Sequence, residues 1–381
     1  MDAGGEAMSD MDAATSAAGN MAEACAARRR KVAEGMRGSG IGQIIVSAAP
    51  SVFWLTGFWT EPHERMLALY LDSSGRCVLF GNRLFQIDSA AFPFECVLHS
   101  DGEDPVEQLA SVVKPGKIGI DKTWQSRFLI ELMTLRPDLA PCHGSAPVDA
   151  ARMRKDDVEI GLMRAASAMN DKAMAAAIGA LREGMAETEL AAAIVEAYTG
   201  LGADFPIGPQ CVCFGENAAD PHHMPAGTAL KGGDCVLIDI FTPLSRYWCD
   251  MTRTVYFKGL SREEETAYEA VRAASAAAIA EIRPGVPLSR IDAAARGVIE
   301  AAGYGSRFIH RLGHGAGLEC HEPPECSAAS GALAEPGMVF SVEPGIYVPG
   351  SFGIRIEDLI LVTEAGCEVL NHFPKEVCII T

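Results

Sequence analysis

The sequence predicts two domains, an α/β domain over residues 26–150 and a larger α+β domain over 151–381, behind a disordered extension at 1–25. Three observations lead there. A chain of 381 residues is long for a single core. From Ala26 to Asp149 short strand and helix signals alternate, whereas after residue 150 long alanine-rich helices are interleaved with apolar strands. The first 25 residues are small, acidic and alanine-rich, with too few large apolar side chains to build a core.

Each element follows from its local pattern. IGQIIVSAAPSVFWLTGF reads as a strand, a turn and a second strand, and MLALYLDSSGRCVLFGNR as a hairpin around Ser73-Ser74-Gly75. VEQLASVV and FLIELMTL are helical, and KIGIDKTW is a further strand. The second domain opens with DVEIGLMRAASAMNDKAMAAAIGALREG, a helix closed by Gly184, and ETELAAAIVEAYTGLG, with Gly202 past its end. REEETAYEAVRAASAAAIAEIRPG is stopped by Pro284-Gly285, and LSRIDAAARGVIEAAGYG is a fourth helix. CVCFGEN, DCVLIDIF, WCDMTRTVYF, MVFSVEPGIYV, GIRIEDLILVT and EVCIIT are strands of a mostly antiparallel sheet.

Composition narrows the function classes. A formal net charge of −18 argues against nucleic acid as the main partner, because phosphate binding needs a basic face. No apolar run reaches membrane-spanning length. The twelve cysteines are scattered singly, and no basic segment followed by leucines opens the chain. Reduced thiols in a cytoplasm are therefore expected.

The acids inside the apolar strands carry the chemical signal. Asp239 lies in CVLIDIF and Asp250 in YWCDMTRTV; a hairpin turning at Leu244-Ser245 sets them opposite each other. A hairpin turning at Gly350 does the same for Glu343 and Glu357. Like charges facing across a sheet destabilise it, and ionised acids among apolar residues cost several kcal/mol each unless compensated. Two such pairs call for a cation. The glycine-rich stretch LGHGAGLECHEPP, from Leu312 to Pro324, supplies the imidazole of His314, with glycines that let backbone and substrate come close. Oxygen donors with one imidazole suit Mn²⁺, Co²⁺ or Zn²⁺.

VLIDI, YWCDMTRTV, LGHGAGLECHE, SVEPGIY and RIED, in this order, resemble the M24-type metallopeptidase family with the pita-bread fold. The likeness extends to the N-terminal part, which resembles the small domain of the creatinase and prolidase branch. It implies two divalent metal ions per subunit, Mn²⁺ foremost, held by Asp239, Asp250, His314, Glu343 and Glu357. Asp250 and Glu357 would bridge them. It further implies Tyr347 and Arg355 as supports of the first aspartate, and His222 and His321 as histidines that act without binding metal.

Within the family, WLTGFWTEPHERMLALYL resembles a stretch of bacterial Xaa-Pro dipeptidases (prolidases), with Trp54 and Glu61 departing from the usual residues. There the loop lies near the partner subunit's site, which implies a homodimer and a substrate-loop role for His63 and Arg65. The implied reaction is hydrolysis of the amide bond before proline in short peptides. Glu343 would shuttle the proton, while His222 and His321 would donate hydrogen bonds to the oxyanion or the substrate carboxylate. The alternatives are an aminopeptidase P acting on longer peptides and a non-catalytic binding module on the same fold. His223, His310 and His372 are read as structural.

Overall fold

The computed structural model describes residues 10–205 and 210–381. The chain divides into two compact units, Met1–Arg152 and Met153–Thr381. In the first, strands β1 (Gln43–Val46), β2 (Ala68–Asp72), β3 (Cys77–Asn82), β4 (Glu95–His99), β5 (Gly116–Ile120) and β6 (Leu139–His143) form one mixed sheet in the order β4-β3-β2-β1-β5-β6. Helices α1 (Asp10–Gly38), α2 (Ala49–Thr56), α3 (Pro105–Val112), α4 (Ser126–Leu135) and α5 (Ala146–Arg152) complete the unit. Its core joins Ile45, Tyr70, Phe80 and Ile118 of the sheet to Leu109 of α3 and Leu132 of α4.

Two expectations fail here, for local reasons. The segment after β1 is the helix α2 rather than a second strand. Pro50 sits in its first turn, where a missing N–H costs nothing, and Gly57 closes it at φ 79°. The opening segment is also not disordered as far as residue 25. Helix α1 starts at Asp10, in keeping with the high helix propensity of alanine, and buries Cys25. Arg29 of α1 donates to the Leu55 carbonyl at 2.5 Å. Residues 1–9 lie outside the described residues.

The second unit carries helices α6 (Asp157–Gly179), α7 (Glu187–Gly200), α8 (Arg262–Glu281) and α9 (Leu288–Ala301). Helix α6 stops five residues short of Gly184, which instead donates its N–H to the Leu230 carbonyl at 2.9 Å. Strands β7 (Cys211–Phe214), β8 (Cys235–Leu244), β9 (Tyr247–Phe257), β10 (Gly313–Gly315), β11 (Glu322–Cys326), β12 (Val339–Val342), β13 (Gly345–Val348), β14 (Phe352–Arg355), β15 (Asp358–Val362), β16 (Cys367–Val369) and β17 (Ile379–Ile380) follow. They form a sheet β17-β9-β8-β7, a sheet β11-β10-β12-β15-β16 and the hairpin β13-β14. Among the described residues of this unit, all the strand pairs are antiparallel except β17 with β9.

Strand β8 is apolar on both sides because both of its faces are covered. Val236, Ile238 and Ile240 pack with α6 and α7, while Cys235 and Leu237 join the core built with α8 and α9. Asp239 continues the second face, as alternation along a strand requires.

The β8–β9 register differs from expectation by two residues. Asp239 pairs with Thr252 and Asp250 with Phe241, so the aspartates are diagonal neighbours on one face instead of direct opposites. The tight turn is Ser245-Arg246, with φ of 50° and 71°. Two positive φ values describe a two-residue hairpin turn that normally selects Asn-Gly. Here Asp204 compensates, its carboxylate accepting the N–H groups of Ser245 at 2.8 Å and Arg246 at 2.6 Å. Asp204→Ala is accordingly expected to lower stability by about 1–3 kcal/mol. A urea midpoint equal to that of the unmodified protein would contradict this account of the turn.

Candidate metal centre

The four carboxylates and the imidazole expected to bind metal all reach one cavity, of about 730 Å³, by different routes. Asp239 and Asp250 come from the β8–β9 hairpin. Glu343 and Glu357 stand where one hairpin is interrupted. Val342 pairs with Asp358 before the interruption and Gly345 with Arg355 after it, in unbroken register. Between those pairs Pro344 has no N–H to donate, so the ladder opens and frees the glutamates. Their backbones are secured elsewhere: Glu343 N donates to the Leu312 carbonyl at 2.9 Å, and Glu357 N to that of Thr252 at 3.0 Å.

His314 sits on β10, between β11 and β12. The glycines around it answer to crowding. A Cβ on Gly313 would lie 1.9 Å from the Ser341 carbonyl oxygen, and one on Gly315 would lie 2.4 Å from that of Pro323. Nδ1 of His314 is 3.2 Å from its acceptor, the Gly315 carbonyl, so the proton belongs there and Nε2 keeps its lone pair. That Nε2 faces Glu343 Oε1 at 3.4 Å and Asp250 Oδ2 at 3.7 Å. The loop returning from β10 is pinned by a buried ion pair, Lys155 Nζ to Glu322 Oε1 at 2.8 Å, which the sequence reading missed.

Arg355, fully enclosed, organises the acids. It donates through Nη2 to Asp239 Oδ2 at 2.7 Å, through Nη1 to the Tyr347 hydroxyl at 2.9 Å and through Nε to Thr252 Oγ1 at 3.0 Å. Thr252 in turn donates to Glu357 Oε2 at 2.7 Å. Since Tyr347 oxygen accepts from Arg355, its proton points to His310 Nε2, 2.9 Å away, and His310 Nδ1 donates to the Arg311 carbonyl at 2.6 Å. His310, read as structural from sequence, thus belongs to this network. Its position four residues before His314 was the available signal.

Charge balance is poor without cations. Burial and the neighbouring carboxylates push Asp250 and Glu357 well above the usual carboxylate range. Burial raises Glu343 to about 7. Burial lowers His314 to about 3 and His310 to about 4, so both stay neutral and offset none of the negative charge. Asp239 Oδ1 is buried and has no hydrogen-bond partner among the described residues. Ligand atoms of Asp250, His314 and Glu357 all lie within 4.8 Å of one another. An oxygen-rich donor set with one neutral imidazole, an orphaned carboxylate oxygen and excess buried negative charge fits divalent metal ions.

His222 and His321 are exposed residues lining the cavity, and the His321 ring lies edge-on to His314 at 4.0 Å. His223 also lines the cavity, and its Nε2 meets Glu187 at 2.9 Å. His63 and Arg65 lie in the N-terminal unit, where Arg65 is held by Asp101 at 2.8 Å and by Glu64 at 2.7 Å.

Comparison with known proteins identifies the family. Residues 161–364 match Metallopeptidase family M24, and residues 28–154 match the Creatinase/Prolidase N-terminal domain. The chain is 36% identical to a Bacillus subtilis protein named "Putative dipeptidase YkvY", over 93% of this chain and 99% of that one. It also resembles the crystal structures of a prolidase from Thermococcus sibiricus (TM-score 0.87) and a dipeptidase from Pyrococcus horikoshii (TM-score 0.88). Each is 32% identical; the matches cover 93% of this chain and 98% and 100% of the respective relatives. The chain belongs to metallopeptidase family M24, with the pita-bread fold.

Proposed function

We propose that the protein hydrolyses Xaa-Pro dipeptides, with Asp239, Asp250, His314, Glu343 and Glu357 holding two divalent ions and Mn²⁺ as the working metal. A homodimer is the assembly proposed with it. The observation that carries the reading is the meeting of four carboxylates and a neutral imidazole around one buried guanidinium. The resemblance to prolidases and dipeptidases supplies the substrate class.

When bound, the ions supply Lewis acidity, which makes water nucleophilic near neutral pH and polarises the scissile carbonyl. The chain's own groups do the rest. Glu343, oriented by Ser341 Oγ at 3.1 Å, takes the proton of the attacking water and passes it to the proline nitrogen as the amide breaks. His222 and His321, on the cavity wall, hydrogen-bond the developing oxyanion or the substrate carboxylate. Arg355, Tyr347 and His310 hold Asp239 in one orientation, so that little reorganisation accompanies the reaction.

Chelator-treated protein is expected to be inactive on Met-Pro and to recover with Mn²⁺. Hydrolysis confined to Arg-Pro-Pro would instead identify an aminopeptidase P. At a free Mn²⁺ concentration a hundred times Kd, binding adds about 2.7 kcal/mol of stability. The melting temperature of the chelated protein therefore rises on adding Mn²⁺, and an unmoved melting curve would remove the metal from the account. Glu343→Gln should lower kcat by roughly 10² to 10⁴. Tyr347→Phe, which cuts the link between Arg355 and His310, is expected to weaken Mn²⁺ binding or turnover by about 10- to 100-fold. If both parameters were unchanged, the network would be structural only.

A further inference from the structure

Cys320 has no part in the reaction just described, yet it lines the cavity beside Asp250 and His321. Its Sγ is 3.4 Å from Asp250 Oδ2, and a carboxylate oxygen, the sulfur and an imidazole nitrogen of these three residues lie within 4.8 Å of one another. In tetrahedral zinc sites, with Zn–S of about 2.3 Å and Zn–O of about 2.0 Å, the sulfur and oxygen donors stand about 3.5 Å apart. The sulfur–oxygen spacing found here already matches. We propose that Asp250, Cys320 and His321 form a third cation position, selective for thiophilic divalent ions such as Zn²⁺ or Cd²⁺, whose occupation inhibits the enzyme.

Donor chemistry sets the selectivity. A thiolate, a carboxylate and an imidazole favour zinc and cadmium, whereas a thiolate adds little for the harder Mn²⁺. Binding exchanges the thiol proton for the metal: the S–H bond breaks, an S–metal bond forms and the proton leaves to solvent. Carboxylate and thiolate then neutralise the two charges of the ion. The inhibitory consequence rests on the proposed function. Asp250 Oδ2, the oxygen beside Cys320, also faces His314 Nε2 at 3.7 Å, so a cation drawn toward sulfur competes for a ligand of the working pair. It also ties up the ring of His321, whose N–H the substrate needs as a donor.

A pair of thiols also lies nearby, with Cys211 Sγ and Cys213 Sγ 3.7 Å apart. The test is therefore run on the full-length chain carrying Cys211→Ala and Cys213→Ala. Stripped of metal, this protein is titrated with Cd²⁺, following the ultraviolet cadmium–thiolate charge-transfer band and the metal retained after desalting. Adding Cys320→Ser should abolish the band and remove one retained ion per chain. In the otherwise unmodified chain, Cys320→Ser should leave Mn²⁺-supported turnover in place. It should raise the Zn²⁺ concentration for half-inhibition by more than about tenfold, since loss of even an outer partner of a metal ligand costs about 10- to 100-fold in affinity. A band that persists with Cys320→Ser, or no band without it, overturns the third position. Equal zinc sensitivity with and without the thiol overturns the inhibitory role. Should Cys320→Ser not fold, Cys320→Val and His321→Ala are read by the same band, with the same expected loss. Because the cadmium signal needs no turnover, failure of the peptidase reading would leave this result standing.

Discussion

Electrostatic repulsion among Asp239, Asp250, Glu343 and Glu357 is the constraint on which the second unit depends. Four carboxylates share one cavity, and the guanidinium of Arg355 is the cation hydrogen-bonded into the group. In a low-dielectric setting such a group is tolerated only if its members neutralise, by protonation or by bound cations. The raised pKa values of Asp250, Glu343 and Glu357 are the first outcome, shown by the chain alone. The second is what a metallopeptidase fold is built to use.

The surrounding hydrogen bonds have one direction, and this makes the centre rigid. Arg355, always a donor, forces Thr252 and Tyr347 to accept from it and to pass their own protons outward, to Glu357 and His310. His310 then has a single tautomer, and so does His314, whose Nδ1 is bound to the Gly315 carbonyl. Turning the Thr252 or Tyr347 hydroxyl, or the His310 ring, breaks one of these bonds. Backbone crowding adds to it, because Gly313 lets β10 lie against Ser341 more closely than any side chain would permit.

Much of this was legible in the sequence, since a carboxylate inside an apolar strand has few bland explanations. Asp239 and Asp250 stood out inside apolar strands, and a turn centred on Gly350 placed Glu343 opposite Glu357. What was misread depended on partners distant in the chain. The Ser245-Arg246 turn lacks the usual residues because Asp204, 41 residues before Ser245, satisfies it. Helix α2 looked like a strand because VFWL is rich in strand-favouring side chains, and only Pro50 and Gly57 betrayed the helix. Lys155 gave no local pattern, and the one signal at His310, its place four residues before His314, acquires a meaning only through Tyr347.

The proposed pair of cations is held by Asp239, Asp250, His314, Glu343 and Glu357. Anomalous diffraction from crystals soaked in manganese would locate that pair. Two manganese peaks per chain are expected, both within bonding distance of Asp250 and Glu357. Density free of anomalous signal at full saturation, or peaks bound only elsewhere on the surface, would contradict it.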